Sequence, residues 1–141
     1  VTLVPTNSLD NVLGKRFDGQ RLLVIVDVEG GELAVIKGGR RHLSMAPRPI
    51  WMVEVAVSEH LPAGLGMNPN VLATFQAFWD TGYVALKLDP RSPLAVVGEE
   101  EVIAAQKGSR SALGTHNNFL FVDPDRCRQI REICFQTVRK P

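Results

Sequence analysis

Three carboxylates and two glycines stand together in D-V-E-G-G-E at residues 27–32. Side chains alternate along an extended chain, so Asp27 and Glu29 are expected to share a side and can act on one ligand. A carboxylate in that position can take the proton of a hydroxyl that is about to attack. Glu54 interrupts the apolar run I-W-M-V-E-V-A-V at residues 50–57, needs a partner, and is expected near the same edge. Three acids together would suit a hard cation such as magnesium. His60, in a loop at residues 58–68 with Pro62, Gly64 and Gly66, brings an imidazole that titrates near neutrality, so it is a candidate base and substrate contact in a lid. His116 and Asn117 precede the last apolar run and can orient a substrate or cap a turn. Plainer roles stand beside these. Asp27 and Glu29 can cap the following helix and bond turn amides, and His60 can be a solvated loop residue. Glu32 falls in a first helical turn, where its charge contributes about 0.3–1 kcal/mol.

The elements that must position these groups follow from hydrophobic pattern and punctuation. Residues 22–26 read L-L-V-I-V, a continuous apolar run that suits a strand covered on both faces in a parallel sheet. The expected class is therefore α/β, with ligands in the crevice beyond the carboxyl ends of the strands, where Asp27 and Glu29 project. Gly30 and Gly31 let the backbone turn. A helix is expected from residue 31 through Leu33, Ile36 and Leu43, broken by Gly38 and Gly39, with His42 on its surface. Pro47 and Pro49 separate it from a second strand at 50–57. Asn68 as cap and Pro69 at the first helical position open a helix whose Val71, Leu72, Phe75, Phe78 and Trp79 follow core spacing. A strand is expected at 83–88, and residues 89–114 read as a surface excursion in which E-E-E-V-I-A-A-Q can form a short helix. Residues 118–122 give the last strand. Asp123 and Pro124 then start a helix whose apolar stripe is Cys127, Ile130, Cys134 and Val138, widened by Ile133. Upstream, the β-branched residues 1–4 read as the tail of a strand. A short helix follows, capped by Asn7 and Asp10, with Leu9, Val12 and Leu13 inward and Gly14 at its end.

Length and composition bound the function classes. A chain of 141 residues fits one domain with one core. Basic residues number 16 against 15 acids, and aromatics are 6%, so there is no electrostatic footprint of a nucleic-acid binder. No apolar run reaches the ~20 residues of a membrane helix, and the expected location is cytoplasmic. Cys127 and Cys134 on one helix would lie about 10 Å apart along its axis, too far to bridge, and read as core residues.

Taken in order, P-T-N-S-L-D at 5–10, V-D-V-E-G-G-E at 26–32, I-K-G-G at 36–39, W-M-V-E-V at 51–55, T-G-Y at 81–83 and N-N-F-L-F-V at 117–122 resemble FkbM-type methyltransferases. The resemblance implies a Rossmann-like methyltransferase fold whose sheet is mixed, with the last strand inserted antiparallel. It implies S-adenosylmethionine as cofactor and methylation of an oxygen on a sugar or other small-molecule acceptor. Ile25 stands where the family usually has lysine, two residues before the aspartate. The family's glycine-rich turn, which holds the methionine and ribose parts of the cofactor, would precede Val1, so residues 1–141 correspond to the C-terminal part of the domain. A non-catalytic α/β binding or assembly module is the alternative. With its first strands absent, the strand at 22–26 would be an apolar edge, and a homo-oligomer through that edge is expected.

Overall fold

The computed structural model describes residues 3–58, 61, 64, 66–89, 94–109, 113 and 117–138, with side chains to residue 134 in the last helix. The elements are α1 (Leu9–Leu13), β1 (Leu23–Val26), α2 (Glu32–Gly38), α3 (Arg40–Leu43), β2 (Ile50–Glu54) and α4 (Val71–Trp79), followed by β3 (Val84–Lys87), β4 (Ala95–Val96), α5 (Glu99–Gln106), β5 (Asn118–Val122) and α6 (Pro124–Val138). The strands form one sheet in the order β1-β2-β5-β3-β4. β1 and β2 are parallel, with α2 and α3 in the crossover, while β5 lies antiparallel between β2 and β3. β4 adds a short antiparallel edge to β3. The α/β class, the mixed sheet and the antiparallel last strand thus agree with the sequence. Among the described residues no helix is long and apolar enough to cross a membrane.

Period-2 alternation divides the sheet side chains between two cores. Trp51, Val53, Ala85, Phe119 and Phe121 meet Ile36, Val71, Phe75, Phe78, Val102 and Ala105 from α2, α4 and α5. Phe75 meets Phe119 and Phe121 edge-on at 4.9 and 5.3 Å, and Phe78 stacks on Phe121 at 3.7 Å. The aromatics of α4 are core, as their spacing predicts. On the other face Leu86, Leu120 and Val122 pack against Cys127, Ile130 and Cys134 of α6. Both cysteines are free thiols.

The helix after β1 breaks where the sequence places Gly38 and Gly39, and the packing gives the reason. A Cβ on Gly39 would stand 3.0 Å from Leu9 Cδ2 and 3.3 Å from Trp51 Cη2, so α1 crosses directly over the break. That crossing overturns the surface position expected for His42, which is buried. Its Nδ1–H donates to Asp10 Oδ1 at 2.6 Å, and the Arg41 amide donates to Asp10 Oδ2 at 2.9 Å.

Other expectations are corrected by tertiary packing. Residues 3 and 4 join no strand and are exposed, Leu3 by 92%. Ser8 caps α1 in place of Asn7, its hydroxyl accepting from the Asn11 amide, and Val12 faces outward. Helix α4 begins after Asn70, two residues beyond the predicted start, although the Asn68 carboxamide oxygen accepts from the Asn70 amide at 2.9 Å as a cap at that position does. Ile133 on α6 is exposed, outside the stripe that covers the sheet. Most consequentially, β1 is covered on one face only. Val24 and Val26 join the core, whereas Leu23 and Ile25 are 59% and 61% exposed, and the described side chains of α6 pack on β2, β5 and β3.

Candidate functional site

The carboxyl end of β1 runs into a turn that the following helix holds from within. Glu32, in the first turn of α2, is fully buried, and its carboxylate accepts from the Gly30 amide at 2.7 Å. Its second oxygen accepts from Asn68 Nδ2 at 3.4 Å. The same Nδ2 donates to Ala56 O at 2.8 Å, and Asn68 Oδ1 accepts from the Asn70 amide at 2.9 Å. A buried carboxylate is costly unless its oxygens are bonded, and here they join the turn after β1 to the turn before α4. Glu32 is therefore more than a favourable charge at a helix start: it clamps two loops at one edge of the sheet.

Between those loops lies a cavity of about 340 Å³, lined in part by Val28, Glu29, Gly30, Leu61, Asn68 and Asn70. Glu29 reaches it through a left-handed backbone with φ of 42°, and Gly30 follows with φ of 88°. Left-handed geometry is uncommon for a residue with a side chain and costs on the order of 1–3 kcal/mol. Strain of this kind concentrates where a side chain is held for use. Asn70, half-buried at the cap of α4, lines the same cavity. A carboxylate and a carboxamide residue on one cavity, Glu29 and Asn70, are groups that can accept a proton from, and orient, a hydroxylated ligand.

The predicted site residues are divided by this turn. Glu29 lines the cavity and Asp27 does not, because the left-handed step at Glu29 ends the strand alternation that would have put the two on one side. Asp27 and Glu54 instead follow the last paired residues of β1 and β2, Val26 and Val53, in neighbouring register positions on the α6 face. Glu54 pairs in register with Asn118 and is half-buried. Asn117 lies at the end of the β2–β5 ladder, where its carbonyl accepts from the Val55 amide at 2.7 Å, so its backbone is structural. His60 and His116 lie outside the described residues. No group of three or more His, Cys, Asp or Glu among the described residues is arranged to hold a metal ion, so the acidic cluster considered for magnesium does not form there.

Among the described residues there are also roomier hollows, and those of about 400 and 630 Å³ are lined by none of Asp27, Glu29 and Glu54. One of about 400 Å³ lies between Leu33, Ile36, Lys37 and Arg40 on one side and Ala77 and Asp80 on the other, toward the ends of α2 and α4. The other, about 630 Å³, is bounded by Arg48, Asp123 and Arg126. In α/β sheets ligands occupy the crevice beyond the strand carboxyl ends, which selects the smaller cavity at Glu29.

Sequence reading missed Asn70 and Gln106. Gln106 Oε1 accepts from the Leu72 amide at 3.1 Å and its Nε2 donates to Pro69 O at 3.2 Å, so α5 caps the helix that walls the cavity. The only sequence signal was the doubled asparagine of N-P-N before α4, which marks a turn richer in side-chain bonds than a single cap requires. No family model, curated protein or solved structure matches the chain.

Proposed function

We propose that this chain supplies the acceptor-binding side of an S-adenosylmethionine-dependent methyltransferase of the FkbM type, acting on an oxygen of a sugar or related small molecule. The observation that carries the reading is the placement of D-V-E-G-G-E. It sits at the carboxyl end of the first strand of a sheet in which β5 is inserted antiparallel between β2 and β3, as the resemblance implies for the last strand. Glu29 then serves as the base for the acceptor hydroxyl, with Asn70 orienting it. Holding oxygen and carboxylate together before reaction is where such a site gains most of its rate.

The described residues do not fit as the grip for the cofactor. Gly30 and Gly31 follow a strand, but their amides are occupied: Gly30 N–H by the Glu32 carboxylate and Gly31 N–H by Val28 O at 3.0 Å. A turn whose donors are already spent offers nothing to a nucleotide or a methionine carboxylate. On this reading the cofactor is held by polypeptide other than the described residues. The same closed turn favours the second reading, a non-catalytic binding or assembly module.

Calorimetric titration separates the two. The chain is titrated with a panel of monosaccharides and small polyols and, separately, with S-adenosylhomocysteine. The methyltransferase reading expects saturable binding of at least one hydroxylated compound and little or no heat from the nucleoside. Absence of binding by every hydroxylated compound would leave the module; tight binding of S-adenosylhomocysteine would overturn the placement of the cofactor.

A further inference from the structure

The hollow of about 400 Å³ between α2 and α4 has walls of opposite charge over an apolar floor. Leu33 and Ile36 of α2, both buried, and Ala77 of α4 take part in the floor. Lys37 and Arg40 line it from the α2 and α3 side, and Asp80 lines it from the end of α4. All three are exposed, and none has an ion-pair partner among the described residues, so the opposite charges flank the hollow without closing on each other. Gln76, on the Asp80 wall, donates through Nε2 to Glu99 Oε1 at 3.4 Å, which brings a second carboxylate to that side. Lys37 complements the dipole of α2 in its last turn, but Arg40 opens α3, where a cation gains nothing from the helix. The hollow lies on the α4 side of α2, and α4 packs on β2 and β5, so it is set back from the β1 edge of the sheet.

We propose that this hollow binds a free α-amino acid with an apolar side chain. The carboxylate of the ligand pairs with Lys37 and Arg40, its ammonium pairs with Asp80, and its side chain covers the floor. A simple anion would meet Asp80 as a like charge, and a simple cation would meet Lys37 and Arg40; a zwitterion satisfies both walls. The last carbonyls of α4 add to the attraction for the ammonium, since a helix C-terminus carries partial negative charge. The volume falls at the lower end of the roughly 300–1,000 Å³ of small-molecule sites, which suits a compact ligand. Asp80 stands about 15 Å along α4 from Asn70 at 1.5 Å per residue, so the site is separate from the Glu29 cavity and independent of the methyltransferase reading.

The test is amide chemical-shift titration of the purified chain with L-leucine, L-methionine and L-phenylalanine. Whichever binds is then compared with its amide, which lacks the carboxylate, and its des-amino acid, which lacks the ammonium. At least one amino acid is expected to saturate at about millimolar concentration or below, with shifts centred on residues 33–40 and 73–81. Each analogue is expected to bind roughly tenfold more weakly. The variant K37Q/R40Q weakens the amino acid roughly tenfold or more and leaves the amide analogue unchanged, while Asp80→Asn weakens the amino acid and leaves the des-amino analogue no weaker. Loss of folding would abolish binding of all three compounds and could not produce that selectivity. Absence of saturable shifts with every amino acid, or shifts centred elsewhere, overturns the proposal. Equal binding of the amino acid and its two analogues overturns it as well, since the apolar floor alone would then hold the ligand.

Discussion

Glu29 and Asp10 are the two acids whose surroundings carry the most information, one for function and one for stability. Glu29 holds a side chain in left-handed geometry at φ of 42°, and glycine would sit there without that penalty. Glu29→Gly is therefore expected to stabilise the fold by about 1 kcal/mol in chemical denaturation while removing ligand binding at the cavity. Loss of stability in that variant would mean that the carboxylate makes a structural bond. Burial alone would raise the Asp10 carboxyl, but hydrogen bonds from the Arg41 amide, the His42 ring and the His42 amide outweigh it and hold its pKa below 3.8. A folded-state value below the unfolded one contributes stability that is present above the unfolded pKa and is lost as pH falls through the folded value. Asp10→Ala should cost about 1.5–3 kcal/mol near neutral pH, and the gap to the parent should narrow as unfolding is measured down through pH 4 to 2. A gap constant over that range would assign the loss to packing.

At the scale of elements, chemistry and architecture were unequally legible. The last strand was read at residues 118–122 and found there, because N-N-F-L-F-V-D-P bounds an apolar run with polar residues and a proline. The break between α2 and α3 was legible for the same reason, two glycines within a helical pattern. Its purpose was not, since the crossing of α1 over Gly39 brings together residues about thirty apart in sequence. Gly39→Ala tests that crossing: its Cβ would press on Leu9 and Trp51, and a cost of about 1–3 kcal/mol is expected, with α1 released from α3. A neutral substitution would mean that α1 shifts freely. The burial of His42, the caps supplied by Gln106 and the two-residue β4 left no local trace, because each depends on a partner distant in sequence. The continuous apolar run of β1 was legible as a strand and misleading about its surroundings. An uninterrupted run marks a strand meant for cover on both faces, and α6 provides it only for the strands farther along the sheet.

For the molecule as a whole, the sheet brings the candidate chemistry to the carboxyl end of β1, its first strand. The D-V-E-G-G-E motif was found from sequence because acids and glycines at fixed spacing are visible in one dimension. Its division into Glu29 on the cavity, Glu32 in the clamp and Asp27 on the α6 side was not, because it follows from a single left-handed residue. Whether Glu29 binds an acceptor hydroxyl between two clamped turns is decided by amide chemical-shift mapping with a hydroxylated small molecule that binds the chain. The parent and Glu29→Gln are compared side by side, since glutamine keeps the size of the side chain and removes its basicity. Shifts are expected to centre on residues 28–31 and the amides of Asn68 and Asn70, with at least roughly tenfold weaker binding in the variant. Shifts confined to the hollow between α2 and α4, or binding untouched by the substitution, would contradict it.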